Sequence, residues 1–161
     1  MKKYEFTDEV HPSNPKLKRI RALIDIPDTA VEAGRLGGWI EGEENLSHDG
    51  SCWVYGNASV YDNARVYGNA SVYDSASVSG NAGVYGNAKI ESKKDYMTFS
   101  GLGSEGRFCT LFRTTEGHML RVGCWSGTVD EFEKRVIAVY GDESDYLSIL
   151  PALRTKLKQW T

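Results

Sequence analysis

Cysteine is scarce in this chain, long apolar runs are missing, and neither sign of charge dominates. Each of these shortages excludes a class of protein. The 161 residues hold three cysteines, Cys52, Cys109 and Cys124. They are odd in number, far apart and without a Cys-x-x-Cys spacing. A disulfide framework and a zinc site both need denser or clustered ligands, so reduced thiols in a cytosolic protein are expected, with no metal. No stretch approaches the roughly 18 apolar residues that span a bilayer, and no membrane partner is expected. The segment MKKYEFTDEV has basic residues with no apolar run behind them, so it does not read as a signal peptide. Nineteen basic side chains stand against 22 acidic ones, a net charge of −3. Domains that grip nucleic-acid backbone carry a basic surplus, so nucleic acid is an unfavoured partner.

What the chain does have is a gapless repeat of period six. Residues 54–90 read VYGNAS VYDNAR VYGNAS VYDSAS VSGNAG VYGNAK I. Val54, Val60, Val66, Val72, Val78, Val84 and Ile90 hold the first position, and Ala58, Ala64, Ala70, Ala76, Ala82 and Ala88 the fifth. Six is not a helical period. A β-branched residue at one position and a small one four places later suit a three-sided β-solenoid. Each hexad then gives a short strand, whose valine points inward, and a corner, where alanine fits. Gly-Asn, Asp-Asn and Asp-Ser at positions three and four suit a corner with left-handed backbone.

These hexads resemble the hexapeptide-repeat family, whose left-handed parallel β-helix takes three hexads, about 18 residues, per coil. The handedness is implied by the resemblance. Counting back by sixes extends the array in degenerate form, with Cys52, Leu46 and Ile40 at the fifth position and His48, Gly42 and Leu36 at the first. Residues 36–53 then form one irregular coil and 54–89 two regular ones. Such a short rod needs caps at both ends. Residues 1–10 and 17–26 read as a β-hairpin around a loop holding Pro12 and Pro15. Its apolar surface comes from Tyr4, Phe6, Ile20, Ala22, Leu23 and Ile24.

After Ile90 the run ESKKD marks a boundary. Residues 96–101, 107–114 and 118–125 read as strands, with a turn at Thr115-Glu116-Gly117. Cys109 and Leu111 share one face with His118, Leu120, Val122 and Cys124. Phe108, Phe112, Met119 and Trp125 lie on the other, so both faces need cover. Thr128-Val129-Asp130-Glu131 is a capping box that opens a helix with Phe132, Val136, Val139 and Tyr140 as its apolar stripe and Gly141 as its stop. A second helix is expected from about Ser144 to Gln159, with Pro151 kinking it or marking a new first turn. The expected fold is thus mainly β: an N-terminal hairpin cap (1–35), a solenoid (36–90) and a small C-terminal βββαα module (91–161). The hexads, the GGWI entry and the tail segment GCWSGTVDEF together resemble small hexapeptide-repeat proteins of phages and prophages.

Three chemistries are open to this sequence. The family resemblance raises acyl transfer, in which a histidine serves as general base and coenzyme A lies along a groove between neighbouring subunits. Only His48 of the three histidines falls in the solenoid, at an inward position better suited to packing. The coils are few and carry no inserted loop. A binding or assembly role draws on Tyr55, Tyr61, Tyr67, Tyr73 and Tyr85, all at position two and outside the coil. At 18 residues per coil, Tyr55 stacks under Tyr73 and Tyr67 under Tyr85. Residues 36–90 carry two basic and six acidic side chains, a net of −4. Unique side chains occur instead in the tail, where Phe112, Arg113, Met119, Arg121 and Trp125 are of hot-spot type. Alternation places Met119, Arg121 and Trp125 on one face. Third, Arg107, Arg113, Arg121 and the Arg154/Lys156/Lys158 group offer charge for a small anion such as a nucleotide. The sequence favours the binding or assembly role, without cofactor, as a homo-oligomer (dimer or trimer). The phage resemblance implies work in the bacterial cytoplasm on a host factor, such as a defence component.

Overall fold

The computed structural model describes residues 1–161. They form two compact units, Met1–Lys93 and Lys94–Thr161. The protein is mainly β, with several parallel sheets, few helices and no closed barrel.

The first unit begins with β1 (Tyr4–His11) and β2 (Asn14–Ala22), paired antiparallel. The turn is Pro12-Ser13, and Pro15 lies inside β2 rather than in the expected longer loop. Strand β3 (Leu36–Ile40) pairs antiparallel with β2. Seven two-residue strands follow: β4 (Trp53–Val54), β5 (Ser59–Val60), β6 (Arg65–Val66), β7 (Ser71–Val72), β8 (Ser77–Val78), β9 (Gly83–Val84) and β10 (Lys89–Ile90). All their pairings are parallel. β4 pairs with β7 and β7 with β10, β5 with β8, and β6 with β9. Each partner lies 18 residues on, as Val54 and Val72 or Val66 and Val84 show. The chain therefore returns beside itself every three hexads.

The interior is as the period demands. Every first-position residue from Val54 to Ile90 and every fifth-position alanine is buried. The corners take the left-handed backbone expected at position three: Gly56, Asp62, Gly68, Asp74, Gly80 and Gly86 all have φ between 54° and 66°. β3 joins the hairpin to a parallel ladder, because it pairs with β2 on one side and β5 on the other.

The degenerate stretch departs from the counted register. Ile40 pairs with Val60 and Leu46 with Val66, so both occupy the first position, not the fifth. Eight residues, not six, separate Leu46 from Val54. The two extra residues fall in Ser47–Cys52, where Gly50 has φ of 70°. His48 and Gly42 consequently leave the first position, and Leu36 is 45% exposed. Cys52 keeps the inward place assigned to it, fully buried just before Trp53, as Ala70 is before Ser71.

The second unit is a four-stranded antiparallel meander, one strand more than expected. It comprises β11 (Tyr96–Leu102), β12 (Arg107–Thr114), β13 (Gly117–Val122) and β14 (Trp125–Gly127). Helix α1 (Val129–Tyr140) starts on the expected capping box: Thr128 Oγ1 accepts from Glu131 N at 3.2 Å, and Thr128 N donates to Glu131 Oε1 at 3.3 Å. Its buried stripe is Val129, Phe132 and Val136. Val139 and Tyr140 are exposed, contrary to expectation, because the stripe drifts off the sheet at the last turn. The expected single second helix is a short 3₁₀ turn over Asp145–Ile149 followed by α2 (Leu150–Gln159), with Pro151 in the first turn. Proline has no N–H to lose there. The helices pack on Leu102, Cys109, Leu111, Leu120 and Val122 of the sheet.

Candidate functional site

The stacking expected of the tyrosines is present. Tyr55 and Tyr73 have ring centroids 4.6 Å apart at 13°, and Tyr67 and Tyr85 are 4.9 Å apart at 7°. All five position-two tyrosines are half-buried. Strand repetition at the β spacing forces this, since each side chain sits one strand above its equivalent. Beside the first stack, the loop holding Asp28, Thr29 and Arg35 walls a groove of about 500 Å³ with Tyr55, Tyr73 and Asn69 on its other side. Burial raises the Tyr55 hydroxyl above its ordinary value, with Tyr73 adding to the effect and a hydrogen bond with Ser71 opposing it.

Each histidine accepts a hydrogen bond from a backbone amide through one ring nitrogen, and His48 Nε2 lies 3.9 Å from Glu43 Oε1. His48 Nδ1 accepts from Lys3 N at 3.1 Å, its ring stacks on Tyr4 at 4.2 Å, and its Nε2 is buried without a hydrogen bond. Burial lowers its pKa, partly offset by Glu43. His11 Nδ1 accepts from Ser13 N at 3.1 Å, and its ring stands edge-on to Trp39. His118 Nε2 accepts from Val129 N at 3.1 Å, at the start of α1. Burial lowers its pKa too, against a smaller raising influence from Asp130.

The sequence reading missed the polar contacts of the entry segment. Lys3 is only 1% exposed. Its Nζ donates to the carbonyls of Cys52 (2.8 Å) and Gly50 (3.3 Å) and lies 3.2 Å from Cys52 Sγ. Burial still wins at the Cys52 thiol and raises its pKa. Burial alone pushes the Cys109 thiol up to about 12. Cys124 is exposed in the turn between β13 and β14, not on the core face expected for it. No group of three or more His, Cys, Asp or Glu side chains is arranged to hold a metal ion. No helix is long and apolar enough to cross a membrane.

The five tail residues do not share one face. Phe112 pairs with Met119, and Thr110 with Arg121, so Phe112, Met119 and Arg121 lie on the sheet side away from Leu111 and Leu120. Phe112 is fully buried. Arg113 lies on the Leu111 side, where it meets Asp95 at 3.3 Å and the carbonyl of Trp160 at 3.4 Å. Trp125 was expected beside Met119 and Arg121. It instead pairs with Val122 and packs on Phe132, with centroids 5.8 Å apart. The two-residue turn at Gly123 (φ 58°) and Cys124 reverses the chain, so strand alternation restarts.

No family model matches the chain. Over 57 residues, 35% of its length, it is 33% identical to the uncharacterized acetyltransferase YdcK of Escherichia coli strain K12. The chain spans 17% of the length of that curated relative. This likeness fits a hexapeptide-repeat protein.

Proposed function

We propose that this chain is a non-enzymatic binding or assembly protein built on a short left-handed β-solenoid. The 18-residue parallel offset and the inward valines and alanines support the solenoid. The left hand follows the hexapeptide-repeat resemblance. The observation that carries the reading is the state of the histidines. His11, His48 and His118 each spend a ring nitrogen on a backbone amide, and the other nitrogen of His48 is buried. A neutral imidazole has a single acceptor nitrogen, and in each of the three rings that nitrogen is already taken by a backbone amide, so none offers a free lone pair to a substrate proton. The assembly is a dimer or trimer, and the phage-type resemblance puts its work in the bacterial cytoplasm on a host protein. Light scattering tests the assembly directly: a dimer or trimer at micromolar concentration supports it, and a strict monomer overturns it.

Acyl transfer is the second reading, favoured by the 57-residue match to an acetyltransferase. Its test is thiol release from acetyl-coenzyme A with amine and hydroxyl acceptors. Turnover that disappears in His48→Asn would replace the first reading with this one.

A further inference from the structure

The second unit contains an aromatic slot with cations at its rim, which neither reading uses. Phe132, Val136 and Tyr140 follow one another at i, i+4 along α1 and share one side of it. Phe132 and Val136 are buried, whereas Tyr140 is 58% exposed. Tyr146 meets Phe132 edge-on at 6.4 Å and Tyr140 at 5.3 Å, and Trp125 lies against Phe132 from the sheet. These rings line a slot of about 70 Å³ that is open to solvent on one side. Beside it lies a cleft of about 300 Å³ that shares Arg107, Tyr140 and Tyr146.

Two guanidinium groups line the slot, Arg107 and Arg135. Arg107 pairs with Glu105 at 2.9 Å, but both side chains are open to water, so the pair is weak and exchangeable. Glu105, then Tyr146, raise the pKa of Arg107 and hold it charged. Arg135 is exposed on α1 with no carboxylate bound to it. The neighbouring cleft holds Glu105 and Asp145, and Asp145 already accepts from Gly103 N at 3.0 Å. The slot itself is lined by Arg107 and Arg135 and by no carboxylate, Glu105 and Asp145 lying on the side of the neighbouring cleft. Aromatic faces select a flat ring, and a guanidinium fork selects a carboxylate or phosphate.

We propose that this slot binds a small planar aromatic anion, its ring among Trp125, Tyr140 and Tyr146 and its anionic group on Arg135 and Arg107. The site stands whether the repeat region assembles or catalyses. Isothermal titration of the full chain with benzoate, indole-3-acetate and AMP tests it, with benzamide and adenosine as neutral counterparts. The expected result is saturable binding of at least one anion, with its neutral counterpart at least about tenfold weaker. Arg135→Gln and Tyr140→Ala should each weaken that binding about tenfold, with an unchanged circular dichroism spectrum. Carboxylates that bind where AMP does not would identify an aryl carboxylate ligand, and the reverse a nucleotide. Three results each overturn the proposal: no saturation below about 5 mM, neutral analogues that bind equally well, or unchanged affinity in both variants.

Discussion

Leu46 pairs with Val66, 20 residues on, whereas Val54 pairs with Val72, 18 on. The two extra residues between Leu46 and Val54 are absorbed in one corner, and the interior stays continuous, since Leu46 and Val54 are both fully buried. The irregular circuit is held by polar contacts that the regular ones do not need. Tyr4 hydroxyl donates to the Leu46 carbonyl at 2.8 Å, and Lys3 donates to the carbonyls of Gly50 and Cys52.

Asn45 is the first test of that circuit. It is fully buried. Its Oδ1 accepts from Glu41 N and Gly42 N, and its Nδ2 donates to the carbonyls of Asp62 and Ala64. Asn45→Ala takes this partner from Gly42 N and from the carbonyls of Asp62 and Ala64, while Glu41 N keeps the Val60 carbonyl at 3.2 Å, and should cost about 3 kcal/mol. Asn45→Asp keeps the acceptor but turns a buried carboxylate oxygen on the carbonyls of Asp62 and Ala64, so its loss at neutral pH should be at least as large as that of the alanine variant. Urea denaturation of the three proteins measures the order.

Corner glycines should differ by position. A Cβ on Gly68 would lie 2.8 Å from the backbone nitrogen of Gly86, while one on Gly56 finds nothing nearer than 3.7 Å. Both residues have left-handed φ. Gly56→Ala should cost only the conformational penalty of about 1–2 kcal/mol, and Gly68→Ala clearly more, because backbone must move. Asp62 and Asp74 already hold the same position with φ of 56° and 54°, so Gly56→Asp should be well tolerated. Thermal melting of the three variants checks the ranking.

Two histidines make stability depend on pH. Burial lowers the pKa of His48 and of His118 below the ordinary 6.5. The unfolded chain then binds protons before the folded one does. Stability is full above about pH 6.5 and falls as the pH drops toward the lowered folded values. The Tm should decline from pH 7.5 to 5.5, and His118→Gln should flatten the decline. A slope unchanged by that substitution would show that His118 plays no part. Glu43, lowered chiefly by Lys2, titrates in the carboxylate range, below this window.

Tyr67 and Tyr85 offer a direct measure of the stacked rows. A double-mutant cycle to alanine should return a coupling of about 0.5–1 kcal/mol. The same cycle on Tyr61 and Ser79, which lack a second ring, should return near zero. Equal couplings in both pairs would remove ring stacking as a source of stability.

The sequence alone determined the repeat. Six-residue spacing of valine and alanine leaves one arrangement in which every branched side chain is buried, so the interior, the corners and the tyrosine rows were all legible by counting. The capping box at Thr128 was legible for the same reason, because its partners lie within one helical turn. Tertiary structure decided what counting could not reach. An insertion is invisible to a period until a strand finds its partner, and the pairing of Leu46 with Val66 fixes where the extra residues go. Trp125 follows a turn too tight to read from a pattern of alternation, and pairing with Val122 turned it to the helix side. Lys3 and Asn45 look like surface residues in the sequence. Only the folded chain brings them the distant carbonyls that make their burial tolerable. The aromatic slot is tertiary in the same sense, because Arg107, Trp125, Arg135 and Tyr146 come from four separate elements that only packing brings together.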